Sequence, residues 1–139
     1  MKPVLIDTDI LSLFFRNHHN VVSNFKNYLA HHEKINLSII TYYEILSGLK
    51  HKDALKQLDS FLKFARHNAI LPLTEETIII SSDLYAKLRK IGKPIDDIDI
   101  LIAGIALSNN LVLVTNNENH FRNIEGLKIL NWSSQEKIM

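Results

Sequence analysis

Apolar positions in this chain come in two groupings that alternate: short unbroken runs, and longer stretches with three- and four-residue spacing. Val4-Leu5-Ile6 is a run rich in β-branching and reads as a strand, and Asp7-Thr8-Asp9 supplies caps for a helix over Ile10-Leu11-Ser12-Leu13-Phe14-Phe15. Val22, Phe25 and Leu29 mark one face of a second helix that ends near His31-His32. INLSI (35–39) predicts a strand. Thr41 takes the next N-cap position, with Glu44 at capping-box spacing, before a helix carrying Ile45, Leu46 and Leu49, with Gly48 late in it. Leu55, Leu58, Phe61, Leu62 and Ala65 predict a helix folded back on that one as a hairpin. AILPL (69–73) is a third strand. Thr74 then caps a helix with the face Ile80, Leu84, Leu88 and Ile91, stopped by Gly92 and Pro94. The helix after Asp96 is apolar nearly all round, from Ile98 to Leu107, and must be buried. LVLV (111–114) and LKIL (127–130) complete the strands, with a short helix in 117–124 between them.

Strands that are apolar throughout and alternate with helices predict a parallel sheet covered on both faces, an α/β fold. The chain holds no repeat, low-complexity tract or Pro/Gly/Ser-rich linker, and its 139 residues are expected to form a single domain over 1–139. An apolar content of 46% is ample for one core.

Charge changes little in that picture. With 16 Lys and Arg against 15 Asp and Glu, no strongly basic surface announces nucleic acid, so any basic footprint must be local. The absence of cysteine excludes disulfides and thiolate metal sites, leaving carboxylate, imidazole and carbonyl ligands that favour Mg²⁺ or Mn²⁺. The start, MKPVLIDTD, has an apolar run too short for a secretory signal or a membrane span, which leads us to expect a cytoplasmic protein without a membrane partner.

The acids carry the candidate chemistry. In an open parallel sheet, ligands bind beyond the carboxyl ends of the strands. Asp7 follows the first strand, Glu44 lies just after the second, Asp99 lies in the first turn of the buried helix, and Asn117 follows LVLV. Clustered carboxylates repel one another, and a divalent cation removes that cost while offering water and phosphate a common centre. The chemistry implied is metal-assisted phosphodiester hydrolysis.

Each residue also has an ordinary reading. Asp9, Thr41 and Asp96 are common N-cap types, and Glu44 and Asp99 each fall three residues after a cap, where an acid suits the helix dipole. Asp7, placed before the cap position, has no evident capping duty, so Asp7, Glu44 and Asp99 together favour a site. His18-His19, His31-His32, His51, His67 and His120 fall at helix ends or in polar loops without HExxH spacing, which suits surface or capping roles. Ser12, Ser38 and Ser47 lack a nucleophile-elbow context, and neither GxGxxG nor a P-loop occurs. Lys87, Arg89, Lys90 and Lys93 suit a helix C-terminus and also lie where a nuclease would grip phosphate, with Arg122 a weaker candidate. Tyr42, Tyr43 and Phe14-Phe15 fit packing better than base stacking.

VLIDTDIL (4–11), TYYEILSGL (41–49), GKPIDDIDILIAGIAL (92–107), LVLVTNNENHF (111–121) and EGLKILNW (125–132), in this order, resemble a PIN domain of the VapC type. The resemblance implies a three-layer α/β/α sandwich around a parallel sheet of about five strands. It implies a Mg²⁺- or Mn²⁺-dependent endoribonuclease, the toxin of a toxin–antitoxin pair that inhibits translation and growth. It further implies a homodimer, an RNA substrate and a VapB-like antitoxin whose peptide wraps the toxin and reaches its site. Family roles carry over to Asp7, Glu44 and Asp99, with Asp97 as a frequent extra acid and Thr8 and Thr115 as orienting hydroxyls. The fourth acidic place is Asn117 here, which adds no charge and bears on whether a second metal is held. Asn117 is also what keeps two alternatives open, a catalytically weak PIN-like module that binds RNA or protein, and a nuclease acting on DNA or flaps.

Overall fold

The computed structural model describes residues 2–134. Strands and helices alternate as β1 (Val4–Ile6), α1 (Thr8–Phe15), α2 (His19–Leu29), β2 (Asn36–Ser38), α3 (Ile39–His51), α4 (Leu55–Arg66), β3 (Ala69–Leu71), α5 (Glu75–Lys90), α6 (Asp97–Ser108), β4 (Val112–Val114), α7 (Glu118–Phe121) and β5 (Ile129–Leu130). The strands form one sheet in the order β3-β2-β1-β4-β5, and every pairing is parallel. β1 is central. The chain winds outward from it to β3 and then crosses to β4 and β5 on its other side, so the direction of winding reverses between β1 and β4. That reversal opens a crevice at their carboxyl ends.

Alternation along the strands divides the core between two faces. Val4, Ile6, Leu37, Val112 and Val114 point to one side, where α1, α2 and α4 bring Ile10, Leu11, Val21, Phe25, Tyr28 and Phe61. Leu5 and Leu113 point to the other, where α5, α6 and α7 bring Leu84, Leu88, Ile102, Ile105 and Phe121. The result is a three-layer α/β/α sandwich around five parallel strands, and both faces being covered is why β1 and β4 are apolar throughout, while β2 carries Asn36, whose side chain donates to the Val4 carbonyl, and Ser38, which caps α3. No helix among the described residues is long and apolar enough to cross a membrane.

Several boundaries and faces differ from the sequence expectation. The buried face of α2 is Val21, Phe25 and Tyr28, and Leu29 is exposed, because the Tyr28 hydroxyl accepts the Val4 N–H at 3.1 Å and turns that face towards β1. In α5 Leu84 and Leu88 are buried as expected, but the buried face continues through Thr77 and Ser81, and Ile91 lies past the helix and is exposed. Small polar residues open that face so that α6 can approach closely. The Ser81 hydroxyl donates to the Ile100 carbonyl at 3.0 Å, and an added Cβ on Gly104 would collide with Ser81 Oγ and lie 2.8 Å from the Thr77 carbonyl. Leu55, expected on the buried face of α4, is exposed, whereas Phe61 and Ala65 are buried.

Two glycines in helices should therefore respond in opposite ways. Gly104→Ala should cost about 1–3 kcal/mol by overpacking α5 against α6. Gly48→Ala, on the exposed side of α3 with nothing within 4 Å of the new methyl, should gain up to about 1 kcal/mol through helix propensity. Urea unfolding of both variants beside the parent chain measures this, and equal midpoints would contradict the packing described.

Candidate active site at the carboxyl ends of β1 and β4

Asp7 ends β1 and is buried, 5% exposed. It is also the N-cap of α1, with Oδ1 accepting the Thr8 N–H at 2.9 Å. This corrects the reading that gave the cap to Asp9 and left Asp7 without that duty: the helix begins one residue after the strand, so one acid serves both. Asp7 Oδ2 accepts the hydroxyl of Thr115, itself fully buried at the end of β4, at 2.8 Å. The two central strands are thus tied at their tips as well as through their backbones.

Burial pushes the Asp7 carboxyl up to about 7. The Asp9 carboxylate adds to this and Asp99 contributes less, while the hydrogen bonds from Thr115 and Thr8 oppose it. Asp9, taken from the sequence as an ordinary cap, lies inside this field. Its Oδ1 accepts the Ile10 N–H at 2.7 Å and its Oδ2 the Asn116 N–H at 3.0 Å, so it bridges α1 to the loop after β4. Burial raises its carboxyl as well, against those backbone bonds, with Asp99 adding. Two acids spaced i, i+2 at a strand end were the only sequence sign of this.

Glu44 reaches the same edge by a different route. The N-cap of α3 is Ser38, not Thr41: Ser38 Oγ accepts the Thr41 N–H at 3.0 Å, and Thr41 is the third helical residue. Glu44 therefore sits in the second turn and closes no capping box. Its Oε1 accepts the Thr8 hydroxyl at 2.6 Å, and that hydroxyl meets Thr41 Oγ1 at 2.9 Å, which in turn meets Ser38 Oγ at 3.3 Å. Three hydroxyls from β2, α1 and α3 hold the carboxylate.

Asp96 stands at the N-cap of α6, yet its side chain makes no capping bond. Asp99, at the third helical position, does not turn back to the cap either, and its Oδ2 meets His120 Nδ1 at 2.8 Å. His120, expected to have a surface or capping role, is thereby brought to the site on α7. Nothing in the spacing of NNENHF signalled it, since α7 has only four residues and no periodicity to read. Asp97 is exposed, without a hydrogen bond to the other acids among the described residues. Asn117 is exposed too, its N–H donating to Thr115 Oγ1 at 3.0 Å and its carbonyl accepting the His120 N–H at 3.0 Å.

The structure thus gathers Asp7, Asp9 and Asp99 into one field, with Glu44 joined through Thr8, and leaves Asp97 and the Asn117 side chain outside the hydrogen-bonded set. Among the described residues no three of these side chains stand together as a ready coordination set, because Glu44 leans on Thr8 and Asp99 on His120. The donor set is all oxygen with one imidazole beside it, and a cation would relieve the repulsion on Asp7, which is the chemistry a hard divalent ion needs.

The basic candidates are all exposed. Lys87 and Lys90 border a hollow of about 350 Å³ with Asn123, Ile124 and Glu125, just past α7. Arg89 lies over the Tyr85 ring at 4.5 Å, Lys93 follows the turn at Gly92, and Arg122 follows α7. Of the aromatics, Phe14 stacks on Phe25 at 4.1 Å and Tyr42 packs by Phe61, while Tyr43 is exposed. On the other flank of the site, α1, α3 and α4 enclose a groove of about 530 Å³. Phe15, Ile45, Leu49 and Phe61 form its floor, and Arg16, Lys52 and Lys56 line it with charge.

Comparison with known proteins agrees with this architecture. Ribonuclease VapC1 of Methanocaldococcus jannaschii is 33% identical over 130 residues, covering 92% of this chain and 87% of the relative. Ribonuclease VapC1 of Haemophilus influenzae is 28% identical over 134 residues, covering 93% of this chain and 97% of the relative. A crystal structure of VapBC2 from Rickettsia felis, bound to a DNA fragment from their promoter, contains a chain that matches with a TM-score of 0.83 and 26% identity, covering 93% of this chain and 98% of that one. The family model described as PIN domain matches residues 4–127, and this chain belongs to the PIN-domain family.

Proposed function

We propose that this chain is a divalent-metal-dependent endoribonuclease acting as the toxin of a toxin–antitoxin pair in the cytoplasm. The observation that carries this is Asp7: a carboxylate buried at the tip of the central strand, crowded by Asp9 and Asp99, and held by a buried threonine from the neighbouring strand. Stability alone gives no reason to gather acids there, since each addition raises the cost of the last. The VapC ribonucleases to which the chain is similar supply the activity that such a site suits.

Asp7 and Asp99 would hold Mg²⁺ or Mn²⁺, with Glu44 within reach of the same edge. When bound, the ion would neutralise these acids and the charge that develops on the phosphate. Glu44, fixed by Thr8, orients the attacking water and takes its proton as the water oxygen adds to phosphorus. The bond from phosphorus to the sugar oxygen on the far side breaks, and that oxygen takes its proton from solvent. Thr115 keeps Asp7 in one rotamer, and Asp9 adds fixed negative charge while joining α1 to the loop after β4. Asp97 and Asn117 play supporting parts at the rim, and Lys87, Lys90, Lys93, Arg89 and Arg122 contact the RNA backbone.

The groove between α1, α3 and α4 suits an antitoxin peptide, with apolar side chains on its floor and acidic residues against Arg16, Lys52 and Lys56. For association of two copies, α5 offers the exposed apolar side chains of Ile78, Ile79 and Tyr85.

Three outcomes test this reading. Asp7→Asn or Asp99→Asn should abolish RNA cleavage with Mn²⁺ and growth inhibition while far-UV circular dichroism stays unchanged; full toxicity in either variant would refute it, and cleavage of DNA in place of RNA would redirect it. The second outcome concerns pH. The folded chain holds a proton on Asp7 up to about pH 7, whereas the unfolded chain releases it near the ordinary value of 3.8. Stability from this group is therefore full below about pH 4 and lost as pH rises through about 7. Metal-free protein should melt lower at about pH 8 than at about pH 5, Asp7→Asn should remove most of that fall, about 3–8 °C, and Mn²⁺ should offset it in the parent chain. A melting temperature that rises over this interval and is indifferent to Asp7→Asn would contradict the burial argument. Third, Lys52→Glu with Lys56→Glu should weaken binding of the cognate antitoxin by about tenfold, read by calorimetry, with RNA cleavage by the isolated chain unchanged.

A further inference from the structure

We propose that His120 is a positioning residue that fixes the Asp99 carboxylate for cation binding. The inference rests on the metal reading above and adds a residue to it. His120 Nδ1 lies 2.8 Å from Asp99 Oδ2, and among the described residues this is the one side-chain bond that Asp99 makes. An acid at the third position of a helix ordinarily turns back to the cap. Here Asp96 offers no capping partnership, so the orientation of Asp99 depends on α7.

The short helix is built to hold that ring. Asn117 stands at its N-cap, and the Asn117 carbonyl accepts the His120 N–H at 3.0 Å. The next side chain, Phe121, is 1% exposed in the core beside α6. A buried phenylalanine on one side and a backbone bond on the other leave the imidazole a narrow range of positions. The ring itself is half exposed, against 16% for the Asp99 side chain, so the bond shields the carboxylate while one edge of the imidazole meets solvent.

The atoms assign the roles. An ionised carboxylate only accepts, so Nδ1 carries the hydrogen and donates to Oδ2. Among the described residues, Oδ1 then has no hydrogen-bond partner in the protein and is left to face a cation. A carboxylate that ligates a metal is commonly held by an outer bond of this kind, and loss of the bond typically costs about 10–100-fold in metal affinity. A surface ion pair of no further consequence would make the same contact, and the two cases separate by measurement. Asparagine places its side-chain NH₂ close to where histidine places Nδ1, whereas glutamine places its own nearer to Nε2.

Mn²⁺ alone, titrated calorimetrically into metal-free full-length protein, provides the readout, with RNA cleavage followed in parallel. His120→Ala should weaken Mn²⁺ binding by about tenfold or more, His120→Asn should stay within about threefold of the parent, and His120→Gln should resemble His120→Ala. In cleavage, kcat should fall in His120→Ala with KM for RNA little changed. Parent-like Mn²⁺ affinity in His120→Ala, or no recovery in His120→Asn, would overturn the proposal. Should His120→Ala fail to fold, the contrast between His120→Asn and His120→Gln decides it in the same way. Asp7→Asn in the same titration separates the two levels of inference. Weakened binding there with parent-like binding in His120→Ala overturns the role of His120 alone, whereas parent-like binding in Asp7→Asn overturns the metal reading and this proposal with it.

Discussion

A carboxylate at the tip of a central, doubly covered strand governs the rest of this molecule. Because β1 is apolar on both faces, the chain directly after it has no water on either side, and Asp7 emerges where an ionised group is least welcome. Everything nearby answers that problem. The Thr8 N–H and the Thr115 hydroxyl solvate the carboxylate, and the start of α1 presents its positive dipole end. Yet Asp9 and Asp99 push the other way, and the carboxyl stays raised. A fold selected for stability alone would place an asparagine or serine at this cap. An acid at this place with further acids beside it is the electrostatic tension that the proposed cation would relieve.

The hydroxyl residues around the acids show how such tension is kept in one geometry. Thr8, Thr41, Thr115 and Ser38 come from α1, α3, the end of β4 and the end of β2, and each meets a carboxylate or another hydroxyl. Three of them are fully buried. Short, stiff side chains lose little freedom when fixed, so they hold a charged partner at lower entropic cost than long ones. The basic residues, by contrast, sit exposed at helix ends or just past them, where their length would serve the proposed contact with RNA phosphates.

Much of this was legible beforehand, and the failures have identifiable causes. The parallel sheet is legible in the fully apolar runs of β1 and β4 and in the nearly all-round apolar α6, whereas the β2 and β5 segments carry polar residues, Asn36 and Ser38 in one and Lys128 beside the other. On the buried faces of α2 and α5, Phe25, Leu84 and Leu88 are legible but Tyr28, Thr77 and Ser81 are not, because the pattern weighs side-chain hydrophobicity and cannot see that the Tyr28 hydroxyl serves a backbone donor or that Ser81 and Gly104 let two helices touch. Caps were misplaced at Asp9 and Thr41 for a related reason. A strand and a helix joined with no loop between them compress the punctuation that sequence reading relies on, so β1 passes into α1 through Asp7 alone and β2 into α3 with nothing between. His120 escaped notice because its partner lies 21 positions earlier and its helix is one turn long.

The pairing of β1 with β4 has a consequence for how the molecule comes into being. Thr115 meets Asp7 across 108 positions of chain, and β1 at its middle has one flank open until Val112–Val114 arrives. Contacts so distant in sequence form late, since the closure of a long loop precedes any reward from it. Until the chain through Thr115 is free to pair, the acids near β1 are carried on an incomplete sheet. A chain cut before Val112 would lack the β4 wall of the crevice and the Thr115 bond to Asp7. The crevice is thus a product of long-range closure, and the order in which the strands pair decides when it exists.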